Sequence, residues 1–364
     1  MQDMAPFSFS ALRSALAARK LRWLWLVLIL LGTVVGWWWG QRLAPDSALR
    51  AATLSCPLPA EQAHAPAPGM VWVPPGRLRL GDGVYPEEGR SLPVDVGGFW
   101  IDRTEVSNDQ FAAFVQATGH VTVAERPLDP RRYPGLPPTL LQPGAVVFSP
   151  PMRPGDAGQP SEWWRFIPGA QWRHPGGPAT DIVGKGAFPV VAVAFEDAQA
   201  YARWAGRALP SEAQWEWAAR AAQAPTEVAM VGHEAPRHAN TWQGVFPAVN
   251  SGDDGFVGLA PVGCYPPNAL GLHDMLGNVW EITTDAYAPR APDTAVSLMP
   301  AGMKGEVPMR VIKGGSYLCA PNYCMRYRPG SRQPQEENLA ASHLGFRTVL
   351  MAPAPPALAA QQRL

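Results

Sequence analysis

Charge and cysteine are both scarce in this chain of 364 residues: charged side chains make up 16%, the 30 basic and 30 acidic residues cancel, and there are four cysteines. The cancelled charge excludes a broad electrostatic surface for nucleic acid. Seven histidines are present, yet the chain has no H-E-x-x-H helix and no paired C-x-x-C, which removes the usual zinc patterns. It also lacks a G-x-S-x-G elbow, and no histidine neighbours Ser316, so a serine hydrolase is not indicated. An EF-hand is missing too: counted from Asn250, the twelfth position is Pro261, where a bidentate Glu is needed. No internal repeat is found. Proline, by contrast, is plentiful at 41 residues and pulls the average towards irregular structure.

One long apolar run is present. From Trp23 to Trp39 no charge interrupts the sequence, and Trp23, Trp25, Trp37, Trp38 and Trp39 stand where interfacial aromatics belong, so residues 23–39 are expected to form a transmembrane helix. A cleaved signal peptide fits less well, because its apolar core is usually shorter and the bulky Trp37-Trp38-Trp39 end lacks a small-residue cleavage pattern. Arg13, Arg19, Lys20 and Arg22 precede it, which keeps residues 1–22 cytoplasmic and sends the remainder to the periplasm or cell exterior. Residues 40–68 are rich in Ala and Pro and read as a linker, a domain is expected over 69–352, and 353–364 read as a disordered tail.

Within the domain, Met70 to Val73 and Val94 to Ile101 read as strands. Three helices are expected. Ser107 caps the first, with Phe111, Phe114 and Val115 on one face and Gly119 as its stop. Phe195 to Trp204 form the second, closed by Gly206. Ser211 and Gln214 make a capping box for the third, which turns Trp215 and Ala218 inward. The Pro-rich stretch from Arg126 to Pro178 carries Trp163, Trp164, Trp172 and His174 and is expected to be an ordered loop packed on the domain.

The chemistry concentrates at Gly314-Gly315-Ser316-Tyr317-Leu318-Cys319-Ala320-Pro321-Asn322-Tyr323-Cys324. Two cysteines five apart diverge by about 140° on a helix and point to opposite faces of a strand. A turn over Ala320 to Tyr323 brings them together, since Pro321 presets φ for its second position and Asn322 suits the third. Converging thiols mean a disulfide, a redox pair or a soft-metal site. Cys56 lies in the linker and Cys264 in a Pro-Gly loop, and spacing alone does not join them. Hard oxygen ligands of the kind calcium prefers recur at Asn240-Thr241, in Asn250 to Phe256 and between Asp274 and Glu281; from spacing alone, solvated Asx-turns account better for those residue types.

Taken together, Phe99 to Asn108, Trp172 to Pro178, Phe188 to Val191, Leu209 to Glu216, Gly277-Asn278-Val279-Trp280-Glu281, the Gly-Gly-Ser-Tyr-x-Cys-x4-Cys-x-Arg-Tyr-Arg segment and Leu344 to Arg347 resemble the formylglycine-generating enzymes, or sulfatase-modifying factors. The resemblance implies an α+β, C-type-lectin-like fold of low regular secondary structure. It further implies that Cys319 and Cys324 hold Cu(I) and that O2, with a reductant, oxidises a cysteine of an unfolded sulfatase segment, Cys-x-Pro-x-Arg, to formylglycine. Ser316, Tyr317 and Trp280 would stand beside the thiols. Two structural calcium sites are implied, one of Asn240, Thr241, Asp254 and Phe256, the other of Asp274, Gly277, Val279 and Glu281. Ala320, Ile282 and Pro329 depart from the pattern, standing where relatives carry His, Trp and Cys respectively. Two other readings share the scaffold: a non-catalytic lectin-like module with a Cys319 to Cys324 disulfide, and an oxidative enzyme with another substrate.

Overall fold

The computed structural model describes residues 54–62, 64–131, 133–150, 163–222, 236–288 and 308–355. The apolar run at Trp23 to Trp39 lies outside them, and among the described residues no helix is long and apolar enough to cross a membrane.

Three helices form where local sequence demands them. In α1 (Asn108–Thr118) the Ser107 hydroxyl accepts from the Gln110 backbone N–H while the Gln110 side chain accepts from the Ser107 N–H, and Gly119 ends the helix at φ 68°. α2 (Phe195–Trp204) is capped by the Asp197 carboxylate on the Ala194 N–H at 2.9 Å. α3 (Glu212–Ala219) repeats the reciprocal Ser211 and Gln214 box.

Strands are short. β1 (Met70–Val73), β4 (Phe99–Asp102) and β11 (Val349–Leu350) make an antiparallel sheet in the order β1-β4-β11. β7 (Trp280–Ala286), β8 (Met309–Lys313), β9 (Gln333–Glu336) and β10 (Leu344–Gly345) make a second in the order β10-β7-β8-β9, with β10 parallel to β7. β2 (Gly76–Arg79) pairs with β3 (Pro93–Val96), and β5 (Gly144–Phe148) with β6 (Trp164–Pro168). The single strand expected over Val94 to Ile101 is therefore two, broken at Gly97 and Gly98. A Cβ on Gly98 would lie 2.5 Å from the Trp72 indole, so the break lets an aromatic ring lie against bare backbone.

The largest apolar cluster joins α1, α2 and the second sheet: Phe111, Phe114, Tyr201, Trp172, Trp280, Ile312 and Phe346, together with Cys319 and Cys324. Phe111 meets Trp172, Tyr201 and Phe346 at centroid distances of 5.2, 6.1 and 6.3 Å. A second cluster gathers Trp215 and Trp217 of α3 with Phe99, Ile101 and Met275. The Arg126 to Pro178 stretch does pack on the domain through the β5–β6 hairpin and buried Trp172, although residues 151–162 lie outside the described set.

Both ends of the domain need correction. Cys56 is disulfide-bonded to Cys264, Arg103 donates to the carbonyls of Pro59 and Ala60 at 2.6 and 3.1 Å, and Gln62 accepts from the Trp72 N–H at 2.9 Å. The second half of the expected linker is thus strapped to the domain. At the other end Trp100 donates to the Pro353 carbonyl at 3.1 Å and Ala354 packs on the Met70, Trp72 and Trp100 cluster, so the tail begins as bound chain.

Candidate active site

β8 runs out at Lys313, and Gly314 and Gly315 follow at φ 93° and 76°. A Cβ on Gly315 would come within 2.8 Å of the Arg326 carbonyl, so only glycine lets the chain entering the cysteine loop lie against the chain leaving it. Between them Ala320 to Tyr323 form the expected turn. The N–H groups of Tyr323 and Cys324 both donate to the Ala320 carbonyl, at 3.1 and 2.9 Å. The result is a pair of buried, free thiols with Sγ atoms 3.1 Å apart. That is a hydrogen-bond contact, well beyond the ~2.05 Å of a disulfide.

The turn is held from outside. Trp242 N–H donates to the Cys319 carbonyl at 3.0 Å, while Asn322 clasps Phe246 by both backbone groups, accepting from its N–H at 3.3 Å and donating to its carbonyl at 3.1 Å. Tyr323 stacks on Phe246 at 4.3 Å and meets Trp163 edge-on at 5.6 Å. Tyr323 nevertheless remains 44% exposed, so its ring, backed by buried Phe246 and Trp163, faces solvent beside Cys324.

The two thiols are electrostatically unequal. Burial pushes Cys319 well above an ordinary thiol. The hydrogen bond from Cys319 outweighs burial at Cys324 and, helped by Arg326, draws that thiol down to about 7. Thiolate character at this pair is therefore favoured on Cys324 rather than Cys319. Of the other expected residues, Ser316 is fully buried with its hydroxyl accepting from the Leu318 N–H at 3.3 Å. Tyr317 hydrogen-bonds Ser342, and burial pushes its phenol up to about 12. Trp280 is buried in β7 within the apolar cluster that contains both cysteines.

The first oxygen-ligand set is brought together. Asp254 accepts from the backbone N–H groups of Thr241 and Phe256 at 2.9 and 3.3 Å, and burial raises its carboxyl. Asn240 gives its amide protons to Gly258 and Asn278, which leaves Oδ1 buried without a donor. The second set is tied to the first by Gly277, where a Cβ would strike the Asn240 carbonyl at 2.1 Å. Asp274 accepts from the Gly263 N–H at 2.5 Å, and burial lifts it to about 6. Glu281, however, spends its carboxylate on Arg347, at 2.7 Å through Nε and 2.7 Å through Nη2, and on the Trp215 indole N–H at 2.7 Å.

Sequence reasoning missed Glu105. Its carboxyl is buried within hydrogen-bonding range of Asp274, Oε1 accepts from Asn278 at 3.0 Å, and no donor reaches Oε2. Burial first, and Asp274 second, push it well above the usual carboxylate range. Nothing in the local sequence marks it, because its partner lies far along the chain. Three buried carboxylates thus share the single guanidinium of Arg347.

The two free thiols thus lie on a loop carried by a scaffold of short strands and buried carboxylates, with the low regular secondary structure that was expected. Comparison with known proteins agrees: residues 55–352 match the family described as sulfatase-modifying factor enzyme 1-like domain, and the chain belongs to that family. It is 49% identical over 290 residues to the formylglycine-generating enzyme of Mycobacterium tuberculosis, covering 77% of this chain and 97% of that protein. It is also 35% identical over 314 residues to a Mus musculus protein named inactive C-alpha-formylglycine-generating enzyme 2, covering 83% and 92%. The structure of PvdO from Pseudomonas aeruginosa shares the fold with a TM-score of 0.50 and 24% identity, over 77% of this chain and 93% of that one.

Proposed function

We propose that this protein is a formylglycine-generating oxidase that uses O2 and copper to convert the cysteine of a Cys-x-Pro-x-Arg segment, in an unfolded sulfatase polypeptide, to an aldehyde. The observation that carries the reading is the free pair Cys319 and Cys324. In the same chain Cys56 and Cys264 are bridged, while these two sulfurs sit 3.1 Å apart unbonded. A structural disulfide module would have no use for that difference.

The donor set fits Cu(I). Two soft thiols converge 3.1 Å apart in a buried loop, the donor chemistry that selects Cu(I). Bound there, Cu(I) supplies a soft centre for the substrate thiolate and one-electron chemistry towards O2. The chain's own residues do the rest. The Ala320 turn fixes the sulfur separation, the Gly314-Gly315 entry closes the loop, and Tyr323, seated on buried Phe246 and Trp163, gives an unfolded peptide an exposed aromatic face beside Cys324. Converting the thiol-bearing carbon to an aldehyde breaks its C–S bond, takes oxygen from water, releases the sulfur as hydrogen sulfide and gives up two electrons and two protons, so full reduction of O2 to water requires two more electrons and two more protons, the electrons from an external reductant.

Calcium at the first set would use the unpartnered Asn240 Oδ1, Asp254 and the carbonyls of Thr241 and Phe256. At the second it would use Asp274 and the carbonyls of Gly277 and Val279, with Glu105 and the Arg347-bound Glu281 beside them. The apolar run at 23–39 is read as the anchor that holds this domain in the periplasm or outside the cell.

The test incubates the reduced, Cu(I)-loaded protein with a Cys-x-Pro-x-Arg peptide in air and follows the peptide by mass spectrometry. Conversion of thiol to aldehyde is expected, absent in Cys319→Ala and Cys324→Ala. Stoichiometric Cu(I) uptake without conversion would sink the substrate assignment, and a persistent Cys319 to Cys324 disulfide that excludes Cu(I) would favour the non-catalytic module.

A further inference from the structure

Arg326 leaves the cysteine loop two residues after Cys324 and turns back on it. Its Nη1 lies 4.0 Å from the Cys324 sulfur. The guanidinium stacks on the Tyr85 ring at 4.3 Å and pairs with Glu87 through Nη2. Its Nε stands 3.7 Å from Glu88, and the Tyr85 hydroxyl accepts from the Met325 N–H at 3.3 Å. Tyr85, Glu87 and Glu88 come from one short turn roughly 240 residues upstream, whose 3-10 helix spans Pro86–Glu88. A second arginine of the loop, Arg328, binds the same turn through Asp82 at 2.7 Å and Glu88 at 2.5 Å. The turn therefore holds two cationic side chains of the cysteine loop, and of these only Arg326 reaches the sulfur.

We propose that Arg326, aimed by Tyr85 and Glu87, is a positioning residue that compensates the negative charge of the metal-bound thiolate pair. The proposal rests on the copper reading above. Two thiolates around one Cu(I) carry a net charge of −1, and a third thiolate from substrate makes it −2. In a buried site that charge needs a fixed cation nearby. The loop's other cation, Arg328, is turned away to Asp82 and Glu88, and among the described residues no lysine or histidine lies against either sulfur. Arg326 also holds its charge at every working pH, and its planar fork is what allows one side chain to stack on Tyr85, pair with Glu87 and face sulfur together.

The experiment measures Cu(I) affinity of the reduced full-length protein by competition with a chromophoric Cu(I) chelator, for wild type, Arg326→Lys, Arg326→Met and the charge-neutral pair Arg326→Met with Glu87→Gln. Circular dichroism and thermal melting confirm that each variant is folded, and the double variant guards against misfolding from an orphaned Glu87. Arg326→Met is expected to weaken Cu(I) about ten-fold, equal to about 1.4 kcal/mol. Arg326→Lys should weaken it about three-fold, because the charge survives and the aim does not. The double variant should stay as weak as Arg326→Met. Wild-type affinity in Arg326→Met, or its recovery in the double variant, would overturn the proposal while leaving the copper reading intact. No Cu(I) uptake by the wild type would remove both.

Discussion

Replacing Arg347 with Met tests the buried charge balance at the centre of the fold. The side chain is fully buried and its guanidinium makes two 2.7 Å bonds to Glu281, with further bonds to the carbonyls of Asp102, Arg103 and His273 at 3.1, 3.3 and 3.0 Å. Met approximates the volume, so the loss is electrostatic rather than a cavity. Removing one partner of a buried pair costs about 3–5 kcal/mol, because the other charge is left unpaired. Here Asp274, which Arg347 also draws towards its charged form, loses the same counter-charge, which places the expectation at the upper end. For a domain of about 300 residues the unfolding entropy is roughly 0.6 kcal/mol/K, so the melting temperature should fall by about 6–8 °C. The assay is differential scanning calorimetry in a chelator and again in millimolar calcium. Calcium should raise the variant's melting temperature by more than the wild type's, since a cation then has more charge to offset. In a double-mutant cycle with Glu281→Gln the coupling should be at least about 2 kcal/mol. A fall of less than about 2 °C, or additive single changes, would refute the account.

Two further outcomes follow from particular contacts. Burial raises Glu88 from 4.5 to about 7 despite Arg328 and Arg326, so the folded state keeps a proton that the unfolded chain has already released. Its contribution to stability is thus complete below pH 4.5 and is lost as pH rises through about 7; Glu88→Gln should flatten urea-midpoint against pH across that window, and an unchanged slope would be inconsistent with it. The Cys56 to Cys264 bridge closes a separation of 208 residues, for which chain entropy gives an upper value of about 5 kcal/mol. Cys56→Ser should therefore lower the melting temperature by several degrees, and reduction of the wild type should reproduce the fall; a variant as stable as wild type would show that the strap is held by Arg103 and Gln62 alone.

Features set by neighbours in sequence were legible. The capping boxes at Ser107 and Ser211, the Gly119 stop and the Ala320 to Tyr323 turn each depend on residues within a few positions, and each formed as expected. The strand break at Gly97-Gly98 was not legible, because its cause is the Trp72 ring from another strand. Glu105 carried no local mark either; its partners Asn278, Asp274 and Arg347 arrive only when the two sheets come together. The same holds for the linker, whose attachment depends on Cys264 and Arg103.

The sequence by itself determined which chemistry is available: two cysteines at a spacing that only a turn can close, with Pro321 and Asn322 supplying the turn. Tertiary structure decided what those thiols experience. Burial raises Cys319 while the hydrogen bond between the sulfurs lowers Cys324, Tyr323 on its buried Phe246 and Trp163 bed opens one side to solvent, and a turn some 240 residues away sets Arg326 against Cys324. The physical reason is range: backbone turn preferences act over about four residues, whereas desolvation and charge act through space on whatever the fold brings near.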